Sequence, residues 1–333
     1  MALLFMDGFD AGDVLVKWSA ASSSIVTSST ITPYGSGRSV ELSSSADIYR
    51  PITPSAQVTV GLAYQPVVSA SRITVYFMAD GGTILHANVM RNNSSGLLEI
   101  RRGGTILATG TTVLSAGTWY YIEMQATVAD SGGTIKVRLN GASTNEIDFT
   151  GDTKNGGTST LIDAIRIDNG SSNNRIDNMY ALNSIGTNNV TFLGAVQVHT
   201  LTPNGNGSSS QFTGSDGNQV DNYQLVDELP YSTADYVGSS TSGQRDTYLL
   251  DNLPNGYHQI FGIQSNVMSL KNTAGTRAIK FALRSNGSVY YGAPVSLGTS
   301  AQTYSDMYEN SPVTSLPWTS SEISNLEGGM EVV

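Results

Sequence analysis

Two carboxylates stand two residues apart at Glu146-Ile147-Asp148. Alternate side chains of a strand share a face, so the pair would lie on one side. A retaining glycosidase needs two carboxyl groups about 5–5.5 Å apart, and such a pair approaches that spacing. The next residues, Phe149, Thr150 and Gly151, carry no acid, and Asp152 falls in an expected turn. The expectation is a solvated strand edge following the Asn140-Gly141 turn. No catalytic residue is assigned here. The histidines are His86, His199 and His258, far apart in strand-like segments, and each reads as a structural residue. No G-x-S-x-G elbow is present.

Acidic loops raise calcium. Asp7, Asp10 and Asp13 open the chain at intervals of three, and Asp163, Asp168 and Asp177 flank NGSSNN at 169–174. Calcium takes roughly six to eight oxygen ligands. Aspartate and asparagine in turns more often bond their own backbone, and neither set follows an EF-hand spacing. No metal and no cofactor is assigned. NGNG at 204–207, with GSSSQFTGSDG at 207–217, is glycine-rich but lacks the Gly-Lys-Ser/Thr ending of a phosphate loop. It is expected to be an exposed hinge or interaction loop.

The elements that must position these residues are strands. Only 13% of the 333 residues are charged while 39% are hydrophobic, against a usual charged share of about 25%. The remainder is rich in Ser, Thr, Asn and Gly, the mixture of antiparallel sheets with solvated outer faces. Period-two strings run at 57–64, 72–79, 84–90, 97–102, 119–128 and 134–140, separated by glycine and asparagine turns. A further string at 175–182 precedes SIGTNN at 184–189, a polar boundary. Strands are then expected at 190–201, 246–253, 257–270 and 277–285. TSSEISNLEGG at 319–329 reads as a short helix, with Thr319 and Glu322 as its capping box and Gly328 as its stop. Ile323 and Leu326 are expected to dock on the last sandwich. The fold class is all-β: two antiparallel β-sandwich (jelly-roll) domains, 1–185 and 190–333, with a short C-terminal helix.

The net charge of −10 and the scatter of only 17 Lys and Arg, densest at Arg101-Arg102, argue against a nucleic-acid partner. With no cysteine, thiolate sites are excluded, and the chain suits reducing cytoplasm. No apolar run approaches the ~18 residues of a membrane span, so no membrane insertion is expected. The opening MALLFMDGFDAG has a five-residue apolar run, Ala2–Met6, with no basic residue before it and Asp7 after it. That lacks the parts of a secretion signal. The expectation is a first strand, Leu3–Met6, of a leaderless protein released by lysis. Sixteen tyrosines against eight phenylalanines and three tryptophans suit glycan stacking and protein interfaces.

Several strings carry a resemblance. FMDGFD with Lys17-Trp18, GSGRSVEL at 35–42, VTVGLAY at 58–64, LSAGTWYYIEMQATV at 114–128, IKVRLNGASTNEIDFTGDT at 135–153, IDAIRID at 162–168 and RIDNMYAL at 175–182 resemble a concanavalin A-like, laminin-G-like jelly roll. The resemblance covers residues 1–185. Glu146-Ile147-Asp148 also resembles the start of the E-x-D-x-E motif of β-glucanases in that superfamily. The third acid of that motif would fall at Thr150, or at Gly151 in its bulged form, and neither is a carboxylate.

The second half resembles a segment common in tailed-bacteriophage structural proteins. The strings are LGAVQVHTLTPNGNGSSSQFTGSDG at 193–217, NYQLVDELP at 222–230, DYVGSSTSGQRDTYLLDNLP at 235–254 and SLPWTSSEISNLEGGMEV at 315–332. The resemblance implies a non-enzymatic virion component: a tail or neck appendage, a fibre or a capsid-decorating protein. Its partners would be other virion proteins and copies of itself, with a homotrimer expected for a fibre or decoration part. The other reading is an adhesin module that recognises host glycan. Glycoside hydrolysis through Glu146 is a distant third.

Overall fold

The alternating strings form strands at nearly their expected limits. In the computed structural model the described residues are 1–11, 17–18, 20–21, 25–28, 30–254, 256 and 259–333. The chain divides into two compact units, Met1–Val198 and His199–Val333.

The first unit holds β1 (Leu3–Asp7), β2 (Ala20–Ala21), β3 (Ile25–Ser28), β4 (Ser39–Leu42), β5 (Asp47–Ser55), β6 (Gln57–Pro66), β7 (Arg72–Ala79) and β8 (Ile84–Arg91). It continues with β9 (Leu98–Arg102), β10 (Thr105–Thr109), β11 (Tyr120–Thr127), β12 (Gly133–Leu139), β13 (Ile147–Gly151), β14 (Ile162–Ser171) and β15 (Asn174–Asn183). An eight-stranded sheet runs β13-β12-β11-β6-β15-β4-β3, with β1 also paired to β15. A seven-stranded sheet runs β10-β9-β8-β7-β14-β5-β2. Neighbours distant in sequence, such as β6 beside β15 and β14 between β5 and β7, make this a two-sheet antiparallel jelly-roll sandwich. Burial of alternate residues fixes the register. One inward row crosses the seven-stranded sheet as Ile48, Ile167, Val75, Val89 and Ile100. Another crosses the eight-stranded sheet as Val137, Met124, Val60 and Ala181. Both belong to one core cluster.

The second unit holds β16 (Pro203–Ser210), β17 (Thr213–Gly214), β18 (Val237–Gly238), β19 (Arg245–Leu250), β20 (Ile263–Ser269), β21 (Ala278–Ser285), β22 (Ser288–Tyr291), β23 (Val295–Ser296), β24 (Gln302–Tyr308), α1 (Ser320–Ile323) and β25 (Glu327–Val332). Its six-stranded sheet runs β16-β19-β25-β21-β22, with β23 also on β21; β20 and β24 form a separate pair. Leu283, Trp318, Ile323 and Leu326 form the core, with Ile263 and Tyr308 of the β20–β24 layer packed against them. The β21–β22 hairpin turns through Asn286 and Gly287, both at positive φ. That is the two-residue turn whose twist suits a hairpin.

Five expectations need correction. The string 190–201 forms no strand, and residues up to Val198 belong to the first unit, so the boundary expected at 184–189 falls at Val198/His199. The NGNG run is no loop: it lies in β16, paired to β19. The helix expected over 319–329 has its capping box, Thr319 with Glu322, but ends at Ile323. Gly328 and Gly329 then fall in β25, between β19 and β21. The strand expected at 257–270 begins at Ile263; Tyr257 and His258 lie outside the described residues.

Candidate binding face

The first unit's sandwich has two outer faces, and the chain covers one of them itself. On the eight-stranded sheet the outward phase of β11 is Tyr121, Glu123 and Gln125, and its inward phase is Ile122, Met124 and Ala126. These outward residues are buried, Glu123 to 1% exposure. Over Tyr121 and Glu123 the cause is residues 190–198, which lie across them as a strap. Leu193 N donates to the Tyr180 hydroxyl (3.2 Å) and Gly194 N to Glu123 Oε1 (2.8 Å). Val198 N donates to Asn178 Oδ1 (2.6 Å). The Tyr180 hydroxyl itself donates to Glu123 Oε1 (2.5 Å), and the Arg138 guanidinium sits 4.2 Å from the Phe192 ring centroid. Asn178 reaches the strap because β15 is bulged between Asp177 and Tyr180. Burial pushes the neighbouring Asp177 carboxyl up to about 8; the Asn178 N–H opposes this, and Asp10 and Asp7 add to it.

The outer face of the seven-stranded sheet presents a polar row. Register aligns Tyr49, Arg166, Tyr76, Asn88 and Arg101 directly across β5, β14, β7, β8 and β9. Beside it run Asp47, Asp168, Thr74, Met90 and Glu99. Arg166 pairs with Asp47 (3.3 Å) and Asp168 (3.2 Å), its side chain 32% exposed. Arg101 pairs with Glu99 at 2.6 Å. The carboxylates therefore neutralise the guanidinium groups and restrict their orientation. Asn88 is 3% exposed, and its Oδ1 has no hydrogen-bond partner among the described residues. Burial raises the Tyr76 hydroxyl pKa, and Asp168 raises it further, so this hydroxyl remains a donor. One end of the face is closed where Asn155 N donates to His86 Nδ1 (3.1 Å) and Asn155 Nδ2 to the Leu85 carbonyl.

The acids singled out from the sequence serve elsewhere. Glu146 precedes β13, and its carboxylate accepts from Thr111 N, Thr112 N and the Thr112 hydroxyl, pinning the loop after β10. Asp148 is exposed and accepts from Asn145. Asp7 accepts from Phe9 N, Lys17 Nζ and Trp18 Nε1, each at 2.9 Å. Asp10 accepts from Arg38 N, and Asp13 lies outside the described residues. Asp163 accepts from Gly81 N, Asp168 pairs with Arg166, and Asp177 accepts from Asn178 N. Among the described residues no group of three or more His, Cys, Asp or Glu could hold a metal ion. His86 is buried in β8; His199 lies in no strand.

Sequence reasoning missed Tyr49, Tyr76, Asn88, Arg101 and Arg166. Alternation assigns each to the polar phase of its own strand. Only the pairing of five strands puts them in one line.

No protein-family model matches the chain, and no curated protein matches it. Solved structures match about half of it. A sialidase is 14% identical, with a TM-score of 0.41, over 54% of this chain and 18% of the sialidase; the chain thus spans under a fifth of that protein's length. The carbohydrate-binding module CBM66 from Bacillus subtilis is 10% identical, TM-score 0.33, over 48% of this chain and 96% of the module. Domain 4 of AbnA, a GH43 extracellular arabinanase from Geobacillus stearothermophilus in complex with arabinotriose, is 14% identical, TM-score 0.36, over 54% and 92%. The sandwich assignment rests on the strand order and register above, and no function follows from these likenesses.

Proposed function

We propose that this chain is a non-catalytic binding protein whose first unit takes up carbohydrate on the outer face of the seven-stranded sheet. The in-register row Tyr49–Arg166–Tyr76–Asn88–Arg101 carries this reading. Saccharides offer apolar C–H faces and paired hydroxyls. Tyrosine rings meet the first; planar guanidinium, amide and carboxylate groups meet the second. At about 4.8 Å per strand the row spans roughly 19 Å, the length of a short oligosaccharide. Because each arginine is already ion-paired, recognition on this face rests on oriented hydrogen bonds, which suits a neutral sugar. The other outer face is occupied by the strap, and Glu146 is saturated by Thr111 and Thr112.

A glycan array with the full chain tests this. At least one neutral oligosaccharide should bind, and Tyr76→Ala and Arg101→Ala should each weaken binding about tenfold or more (~1.4 kcal/mol). A silent array at high protein concentration, or binding that both variants leave unchanged, removes the proposal. The virion setting rests on the sequence resemblance of residues 193–332 and is compatible with an adhesin carried on a particle. Mass spectrometry of purified particles from the source decides that part.

A further inference from the structure

The six-stranded sheet of the second unit carries a separate arrangement. Register aligns Arg245, Glu331 and Lys280 across β19, β25 and β21. The next row on the same face is Thr247, Gly329, Ala282 and Tyr291, ending on β22. An Arg245 Nη1 hydrogen bond reaches the Tyr291 hydroxyl, although their strands are three apart. At about 4.8 Å per strand that separation is roughly 14 Å, so both side chains must lie along the sheet. The small residues Gly329 and Ala282 leave room for them to do so.

The result is a tyrosine 41% exposed and flanked by two cations. Arg245 Cζ is 5.8 Å and Lys280 Nζ 5.5 Å from its ring centroid. Both cations share one carboxylate, Glu331, each at 3.8 Å. One positive charge is left over. Arg284, on the same face, is matched by Glu327 at 2.7 Å. This surplus stands out in a unit with five basic residues, Arg245, Lys271, Arg277, Lys280 and Arg284, against twelve Asp and Glu. An exposed ring beside surplus cations suits a ligand with a flat apolar face and a negative group. A neutral sugar leaves the charge unused, and an inorganic anion leaves the ring unused.

We infer that this face of the second unit binds an anionic saccharide, the sugar ring against Tyr291 and its carboxylate or sulfate within reach of Arg245 and Lys280, whose joint charge exceeds that of Glu331. The full chain, titrated by calorimetry, should bind sialyllactose or a sulfated heparin disaccharide. Tyr291→Leu and Lys280→Gln should each weaken that binding about tenfold or more, and added salt should weaken it further. Tyr291→Phe should retain most of it, since the ring remains. Tyr76→Ala, on the other unit's face, should leave it unchanged, which separates failure here from failure of the proposal above. Three results overturn the inference: neither anionic saccharide binds, binding survives both Tyr291→Leu and Lys280→Gln, or a polyglutamate peptide binds equally well. Lys280→Gln removes a side chain whose polar partner is Glu331 alone among the described contacts, so its folded state can be confirmed by an unchanged melting midpoint.

Discussion

Asp177 shows how a single residue is set by burial. It is 3% exposed, and its carboxyl is raised from 3.8 to about 8, first by burial and then by Asp10 and Asp7. Lys17, the nearby cation, is engaged by Asp7. The fold favours the protonated acid. Between about pH 4 and 8 the folded chain keeps a proton that the unfolded chain has lost, so this group's stabilising contribution declines across that window and is gone above it. Asp177→Asn keeps the neutral form. Its stability relative to the parent should be near zero at pH 4 and rise to a few kcal/mol by pH 8, at ~1.4 kcal/mol per pKa unit. Urea melts at several pH values measure this, and a difference that does not change with pH excludes the assignment. The sequence shows that Asp177 exists within RIDNMYAL; it does not show that the fold buries it near Asp7 and Asp10.

At the scale of elements, β25 is the instructive case. Thr319 and Glu322 announce a helix, and the capping box forms as read, because capping is decided within one turn. Glu327-Gly328-Gly329 reads locally as a helix stop, yet it is an interior strand. Gly329 is needed there because a Cβ would overlap the backbone oxygen of Asp246 on β19. Glu327 is held by Ser208, Thr247 and Arg284, all distant in sequence. Gly329→Ala should therefore destabilise the second unit by about 1–3 kcal/mol, the usual scale of overpacking. The midpoint of chemical unfolding reads this directly, and an unchanged midpoint contradicts the close approach. The run 190–201 misled for the converse reason. Its alternation of apolar residues is real, but no strand edge accepts its backbone, and its amides go to side chains instead.

For the whole molecule, the boundary matters. A fragment ending before the strap, Met1–Asn189, uncovers Tyr121, Glu123 and Tyr180; one ending at Val198 keeps them covered. Three strap N–H bonds at about 1 kcal/mol each place the difference on the order of 3 kcal/mol. Met1–Val198 should unfold at the higher urea concentration. Equal midpoints would mean that the strap adds nothing.

The all-β class, most strands between 57 and 183, the Asn-Gly turns and the helix cap follow from the sequence alone. Each depends on alternation or turn chemistry within a few residues of chain. The polar row across β5, β14, β7, β8 and β9, the Tyr291–Arg245 contact, the strap and the central place of β25 were decided only by the tertiary structure. Each needs strands tens of residues apart to pair in one register. Composition records which side chains are available for that pairing, and nothing local records which of them will meet.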